Sequence, residues 1–113
     1  MITILTPSYN RAHTLTRLFE SLIQQSNQNF EWLIVDDGSY DRTFDLVNDF
    51  IAKNKINIKY FFQENKGKPS AVNFGVEKAS GSYIFIVDSD DLLPADSIQT
   101  ICEKIKFHES LNN

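Results

Sequence analysis

Residues 30–39 read FEWLIVDDGS, an almost continuously apolar run that ends in two carboxylates, a glycine and a serine. Such a run predicts a strand over Phe30–Val35 that is buried on both faces, as in a parallel sheet. Tyr83–Val87 repeats the pattern, because it is nearly all apolar and is followed by DSDD at residues 88–91. We therefore expect a sheet covered on both faces, with polar residues where its strands end.

Outward from these two runs, strand-like and helical patterns alternate along the chain. Two more strands are predicted at Ile2–Thr6 and Ile56–Phe62, since both are rich in β-branched or aromatic residues. Helical spacing predicts four helices, the first over roughly residues 13–26. The inner faces of these helices are formed by Leu15, Leu18, Phe19, Leu22 and Ile23; Phe44, Val47, Phe50 and Ile51; Ala71, Val72, Val76 and Ala79; and Ile98, Ile101, Cys102 and Ile105.

Several residues mark the ends of these helices. Ser39 or Asp41 is predicted to cap the second helix, and Pro69 suits the first turn of the third. Gly81 is predicted to end the third helix. Phe107 and Leu111 lie opposite the inner face of the last helix. We favour simple exposure of these two side chains over contact with a second copy or a longer protein.

The element order β-α-β-α-β-α-β-α predicts an α/β fold with a Rossmann-like, open and mainly parallel sheet. The expected strand order is 3-2-1-4, with helices on both faces. Polar clusters at residues 6–10, 36–39 and 88–91 would then meet at the carboxyl edge of the sheet. Ligands of open α/β sheets bind at this edge, where the strand order reverses.

The predicted crevice is acidic. Its five carboxylates, from Asp36, Asp37, Asp88, Asp90 and Asp91, would repel one another unless a cation binds. Mg²⁺ or Mn²⁺ fits, because these ions take carboxylate oxygens together with substrate phosphates. Each cluster alone would also fit a turn or a helix cap. Because no G-x-G-x-x-G or P-loop motif occurs, any phosphates would have to be held by a cation, with backbone amides as further candidates.

The composition indicates one ordinary globular domain. The chain has 113 residues, of which 42% are hydrophobic and 23% charged. Its net charge of −4 argues against a nucleic-acid partner, which would require a basic surface.

A cytoplasmic location is the expectation, with the inner membrane surface left open. The single cysteine, Cys102, fits a reducing compartment and reads as a small core residue. We identify no signal peptide and no apolar run near the roughly 20 residues that cross a bilayer.

Four motifs, in order, resemble family-2 glycosyltransferases of the GT-A fold. They are TPSYNR at 6–11, VDDGS at 35–39, NKG at 65–67 with AVNFG at 71–75, and VDSDD at 87–91. The resemblance implies that residues 1–113 are the nucleotide-sugar-binding, or donor, portion of a GT-A domain. The acceptor-binding portion and the general base are expected beyond Asn113.

The implied activity is metal-dependent, inverting transfer of a hexosyl or related group from a nucleotide-diphosphate sugar, most simply a UDP-sugar. The acceptor would be a glycan or lipid in polysaccharide or glycoconjugate biosynthesis. We expect the fragment alone to be inactive. A homodimer and peripheral membrane association through further segments are left open.

The resemblance also implies roles for individual residues. Tyr9 would lie beside the base, and Asp36 or Asp37 would accept a hydrogen bond from it. Asp88 would lie towards the ribose and the metal, and Asp90 matches the metal ligand of a D-x-D motif. The full set of implied nucleotide-sugar contacts is Thr6, Pro7, Tyr9, Asp36, Asp37, Gly67, Asn73 and Asp88, with the metal held by Asp88 and Asp90.

One position departs from the family pattern. Many relatives carry a basic residue where this chain has Val72, so that a base or phosphate contact is either missing or supplied by Lys66 or Lys68.

Two alternatives remain at this stage. One is a receiver-like phospho-acceptor signalling module built on Asp36, Asp37 and Asp88, although it would need a later hydroxyl residue and lysine at strand ends. The other is a non-catalytic nucleotide-binding module.

Overall fold

The computed structural model describes residues 1–112, in which strands and helices alternate strictly. The elements are β1 (Ile2–Ser8), α1 (Ala12–Ile23), β2 (Phe30–Asp37), α2 (Thr43–Lys53), β3 (Asn57–Gln63), α3 (Lys68–Lys78), β4 (Tyr83–Ile86) and α4 (Ser97–Leu111). This order confirms the prediction. The first helix ends earlier than expected, because Gln25 turns inward and its amide donates to the carbonyl oxygen of Pro94 at 2.7 Å.

The four strands form one parallel sheet in the order β3-β2-β1-β4. Ile2 pairs with Phe30 of β2 on one side and with Tyr83 of β4 on the other. Since β1 lies between β2 and β4, the strand order reverses next to it. The predicted α/β class and strand order are therefore confirmed.

Apolar side chains cover both faces of the sheet. On one face, Ile4 and Trp32 lie in a core with residues of α1, α2 and α4. On the other face, Leu5, Leu33 and Val35 pack against Ala71 of α3. Because side chains along a strand point alternately to opposite faces, each strand contributes to both cores.

Only one of the two apolar runs is buried on both faces. Every residue of β2 is buried, as predicted. The same prediction is wrong for the fourth strand, where Ile86 is 53% exposed. β4 lies at the edge of the sheet, and α3 covers β1 and β2 instead.

In two helices, the residues that are buried differ from those predicted. In α2, Phe44 and Ile51 are exposed, and Thr43 is buried instead. In α3, Val76 is exposed, and Gly75 is buried so closely that a Cβ there would lie 2.3 Å from Leu5 Cδ1. The helical spacing was therefore predicted correctly, but the buried face of each of these helices is rotated relative to the predicted face.

The predicted helix boundaries also change. Arg42 occupies the N-cap position of α2, and Asp41 acts from one residue further back by accepting a hydrogen bond from Thr43 N at 3.0 Å. α3 ends at Lys78, before Gly81. Gly81 lies against β1, where a Cβ would come within 2.6 Å of Thr3 N. It is required there for close approach of the backbone.

The last helix agrees with the prediction. Cys102 is partly buried against the larger core, while Phe107 and Leu111 are 67% and 68% exposed. Among the helices of residues 1–112, none has both the length and the apolar character needed to cross a bilayer.

A buried carboxylate ties the α3–β4 connection to the sheet. Glu31 Oε2 accepts hydrogen bonds from Thr3 Oγ1 and Ser80 N, both at 2.6 Å, and Lys59 Nζ lies 2.9 Å from Oε1. Burial alone would raise the pKa of Glu31, but these hydrogen bonds and the lysine charge outweigh burial and lower it. Glu31 therefore stays charged in the fold.

Candidate functional site

A pocket of about 480 Å³ opens at the carboxyl edge of the sheet, where the strand order reverses. Loops that follow β1, β2, β3 and β4 meet there. The lining residues are Pro7, Ser8, Tyr9, Arg11, Asp37, Asn65, Gly67, Lys68, Asp88, Ser89 and Asp90. The crevice that the sequence predicted is therefore formed by the loops that were expected to form it.

The adjacent carboxylates of β2 point in opposite directions. Asp37 lines the pocket, whereas Asp36 lies on the other face and is only 1% exposed. Both oxygens of Asp36 are engaged, one by Tyr60 Oη at 2.6 Å and the other by Ser39 N at 2.9 Å. Burial and the neighbouring Asp36 carboxylate raise the pKa of Tyr60, so it remains a donor. Asp36 thus has a structural role.

Asp37 holds the loop that follows β3. Its Oδ1 accepts hydrogen bonds from Gln63 Nε2 and Lys66 N, both at 2.8 Å, and its Oδ2 accepts one from Gly67 N at 2.9 Å. Burial alone would raise the pKa of Asp37, but these three hydrogen bonds outweigh it and lower the pKa. The carboxylate therefore stays charged in the pocket wall.

The next residue, Gly38, allows the β2 and β3 loops to touch. Its φ of +82° is in the left-handed region, and a Cβ would lie 2.7 Å from Asn65 N. Asn65 Nδ2 donates to the backbone oxygen of Asp37 at 3.0 Å. Both strain and collision would therefore oppose any larger residue at position 38.

The β1 loop is tied to the β2 loop by Asn10. Asn10 N donates to Ser39 Oγ at 2.8 Å, and Asn10 Oδ1 accepts from Tyr40 N at 3.0 Å. These bonds place the neighbouring Tyr9 at the pocket rim, with its ring in edge contact with Tyr40 at a centroid distance of 6.2 Å. Tyr9 remains 44% exposed. A ring held in this way can receive a flat ligand group.

Three residues predicted as contacts lie outside the pocket lining. Thr6 is fully buried and accepts a hydrogen bond from Trp32 Nε1 at 2.9 Å. Asp36 is the second, because it is buried on the other face of the sheet with both oxygens engaged. Asn73 is exposed on α3 and is not a lining residue. Strand alternation explains Thr6 and Asp36, because both point to the face opposite the pocket.

Five lining residues were not in the predicted set. Four of them belong to the sequence motifs at 6–11, 65–67 and 87–91, and this signal could have identified them. They are Ser8, Arg11, Asn65 and Ser89. The fifth, Lys68, was predicted only as a substitute for a missing basic residue. Ser8 is 3% exposed, and its Oγ has no hydrogen-bond partner within residues 1–112.

The loop after β4 carries three carboxylates with different surroundings. Asp91 closes a turn, since its Oδ2 accepts from Asp88 N at 3.1 Å and its N–H donates to the oxygen of Asp88 at 3.0 Å. Asp88 Oδ1 lies 2.7 Å from Lys68 Nζ. Asp90 is exposed and lines the pocket without an ion pair in the described chain.

Asp88 and Asp90 could hold a divalent cation only with help from a ligand. The described residues contain no group of three or more His, Cys, Asp or Glu side chains placed to bind a metal. Mg²⁺ and Mn²⁺ commonly use one or two carboxylates, with water and substrate phosphates completing the shell. The donor set therefore fits a cation that binds together with a phosphate ligand.

The pocket also offers positive groups to an anion. Lys68 and Arg11 are both lining residues. α3 begins at Lys68, and its N-cap residue, Gly67, provides no side-chain cap. The N–H groups of a first helical turn favour anions, so this end of α3 adds to the lysine charge.

Known proteins match nearly the whole chain. A family model described as "Glycosyl transferase family 2" matches residues 3–111. An uncharacterized glycosyltransferase of Rickettsia felis is 39% identical over 111 residues, which are 98% of this chain and 18% of that protein.

Two solved structures resemble the fold. TarS of S. aureus, in complex with UDP-GlcNAc, matches with a TM-score of 0.88 at 30% identity, over 96% of this chain and 32% of that one. The mannosyltransferase PcManGT from Pyrobaculum calidifontis, in complex with GDP-Man and Mn2+, matches with a TM-score of 0.78 at 26% identity, over 83% of this chain and 28% of that one. The chain thus spans about a third or less of each of these proteins. The structural matches confirm the GT-A fold.

Proposed function

Because the chain belongs to glycosyl transferase family 2, we propose that its pocket binds a nucleotide-diphosphate sugar, most simply a UDP-sugar, for metal-dependent and inverting glycosyl transfer. The main support is that one pocket brings together an exposed ring, an anchored carboxylate, a lysine and the Asp88/Asp90 pair. TarS, which matches 96% of the chain, was solved with UDP-GlcNAc.

The base would bind between Tyr9 and Asp37. A carboxylate has roughly four lone-pair positions, and Asp37 uses three of them for its loop. One position remains for the N–H edge of uracil or guanine. Both candidates from the sequence are buried, Asp37 at 5% and Asp36 at 1% exposure, but Asp37 lines the pocket and Asp36 does not. Asp37 is therefore our choice for the base contact.

The diphosphate would lie between the start of α3 and the loop after β4. Lys68 and Arg11 supply positive charge from the protein. Asp88 and Asp90 would hold Mn²⁺ or Mg²⁺, which would neutralise the charge of the departing diphosphate. Without the cation, the carboxylates of this pocket would repel a diphosphate.

The function proposed for this chain is binding of the sugar donor, the nucleotide-diphosphate sugar. The acceptor site and the general base that would deprotonate an acceptor hydroxyl are assigned to the rest of a family-2 enzyme. We therefore expect the 113-residue chain to bind nucleotide without transferring sugar.

The test is calorimetric titration of the folded chain with UDP in the presence of Mn²⁺, repeated with GDP and dTDP. UDP should bind most tightly, and Asp90→Asn should weaken its binding. Asp45→Asn, at an exposed position outside this pocket, is the control and should bind as the unaltered chain does. Failure of all three nucleotides to bind a folded sample would refute the proposal.

A receiver-like phospho-acceptor is not favoured by the geometry. Its acidic pocket would be built on Asp36, Asp37 and Asp88, but Asp36 is 1% exposed, has both oxygens engaged and does not line the pocket.

A further inference from the structure

Lys68 and Asp88 form the one ion pair of residues 1–112 that lies in the pocket. The two atoms, Lys68 Nζ and Asp88 Oδ1, are 2.7 Å apart. Asp88 is also one of the two carboxylates assigned to the cation. The ammonium group therefore occupies one of the two oxygens through which Asp88 could bind a cation, and its charge opposes a cation at the other.

We propose that Lys68 and the divalent cation compete for Asp88, and that the diphosphate ends the competition by drawing the ammonium group onto its own oxygens. The cation and the nucleotide then bind cooperatively, each favouring the other. This inference rests on the proposed function, because it requires a nucleotide diphosphate and a cation in this pocket.

The pair is suited to exchange because it is weak. The side chains of Lys68 and Asp88 are 59% and 46% exposed, and solvent screens pairs of this kind strongly. The lysine side chain is flexible and carries three donors, so it can turn from a carboxylate to a phosphate. Its backbone does not have to move, since the preceding residue, Gly67, is fixed by Asp37.

Asp88 and Asp90 also leave the cation short of ligands without the nucleotide. Two carboxylates cannot complete an octahedral shell, so phosphate oxygens would supply part of it. In the free protein the cation would meet an incomplete site that is partly closed by Lys68. Once a diphosphate binds, both obstacles are removed together.

The size of the effect follows from the strength of an exposed ion pair. An ordinary pair of this kind would reduce the apparent affinity for the cation alone by about two- to sixfold. Linkage requires that the cation and the nucleotide strengthen each other by the same factor. Removing the lysine should reduce that shared factor.

The experiment measures Mn²⁺ binding to the 113-residue chain by electron paramagnetic resonance, with and without UDP, for Lys68→Met and the unaltered chain. Lys68→Met should bind Mn²⁺ alone about two- to sixfold more tightly. The same variant should bind UDP more weakly, and the strengthening of each ligand by the other should decrease.

Two variants separate this exchange from a general change of charge. Lys66→Met removes a nearby lysine that is outside the pocket lining, and it should change Mn²⁺ binding much less. Lys68→Arg keeps a positive group that can pair with Asp88, so it should not tighten Mn²⁺ binding; it also reports on the site if Lys68→Met fails to fold.

The outcomes are distinct. If UDP binds but Lys68→Met leaves Mn²⁺ affinity unchanged or weaker, or if Lys68→Arg tightens Mn²⁺ binding, the exchange is refuted and the donor site stands. If no nucleotide binds to the unaltered chain, the proposed function itself fails.

Discussion

Asp37 Oδ2 accepts a hydrogen bond from the backbone N–H of Gly67 at 2.9 Å, across 30 residues of chain. The same carboxylate binds Gln63 and the N–H of Lys66. One side chain at the end of β2 thus holds the loop from which α3 begins.

Replacing Asp37 with alanine should weaken both the fold and the pocket. The substitution leaves the N–H groups of Lys66 and Gly67 without their acceptor, at a cost of about 2 kcal/mol. Urea denaturation should show this loss, and UDP titration should show a weaker or absent complex. Asp45→Ala, on the exposed face of α2, is the control. Unchanged stability with full UDP affinity would show that this carboxylate does not organise the pocket.

Stability should fall in acid, and Glu31 should cause part of the fall. Its pKa is lower in the folded chain than when unfolded, so the unfolded chain takes up the proton first. The stabilisation is therefore present above the ordinary carboxyl pKa of about 4 and is lost as pH falls through the lowered value. Asp37 and Asp41, whose pKa values are also lowered, act in the same direction.

The variant that tests this is Glu31→Gln, studied by urea denaturation between about pH 3 and pH 7. It should cost about 2 kcal/mol near neutrality, because it removes the charge that pairs with Lys59. It should also reduce the loss of stability in acid. Glu77→Gln, at an exposed position, should leave the pH dependence unaltered. An acid slope that is the same in Glu31→Gln would contradict the assignment.

Thr6→Val should destabilise the chain without changing nucleotide affinity. The substitution leaves the buried Trp32 Nε1 without its acceptor, which should cost about 2 kcal/mol. Because Thr6 lies outside the pocket lining, UDP binding by the folded fraction should not change. A selective loss of UDP affinity would instead support the direct contact that the sequence suggested.

Tyr9→Ala should weaken UDP binding while leaving the fold intact. Stacking of a base on an aromatic ring is worth about 1–3 kcal/mol, so the loss should be about five- to a hundredfold. Phe107→Ala is the control, since Phe107 is 67% exposed on α4 and is not a lining residue. Equal losses in the two variants would argue against stacking on Tyr9.

The sequence predicted the architecture well because its strongest signals are local. Apolar runs, helical spacing and polar strand ends were enough to place β1, β2 and the carboxyl-edge pocket. The prediction that β4 is buried on both faces failed, although the expected order 3-2-1-4 already placed β4 at the edge. An apolar run alone does not show how far neighbouring elements cover an edge strand.

At the site, the main feature that the sequence did not predict was the direction in which side chains point. Asp36 and Asp37 are adjacent and chemically identical, and the two-residue period of β2 sends one into the core and the other into the pocket. The pairing of Lys68 with Asp88 joins residues 20 positions apart and depends on how α3 approaches β4. The local sequence pattern predicts neither the directions of the two aspartates nor this ion pair.

Because β1 pairs with both β2 and β4, its position also affects the order in which the sheet can form during folding. β1 can pair with β2 early, but its other edge waits for β4, since Ile2 lies opposite Tyr83. Pairings this distant in sequence slow folding and leave an open strand edge in the meantime. Asp88 and Asp90 follow β4 closely, so a chain that has not finished folding would lack the proposed cation site. Nucleotide binding would therefore report only on molecules that have reached the native state.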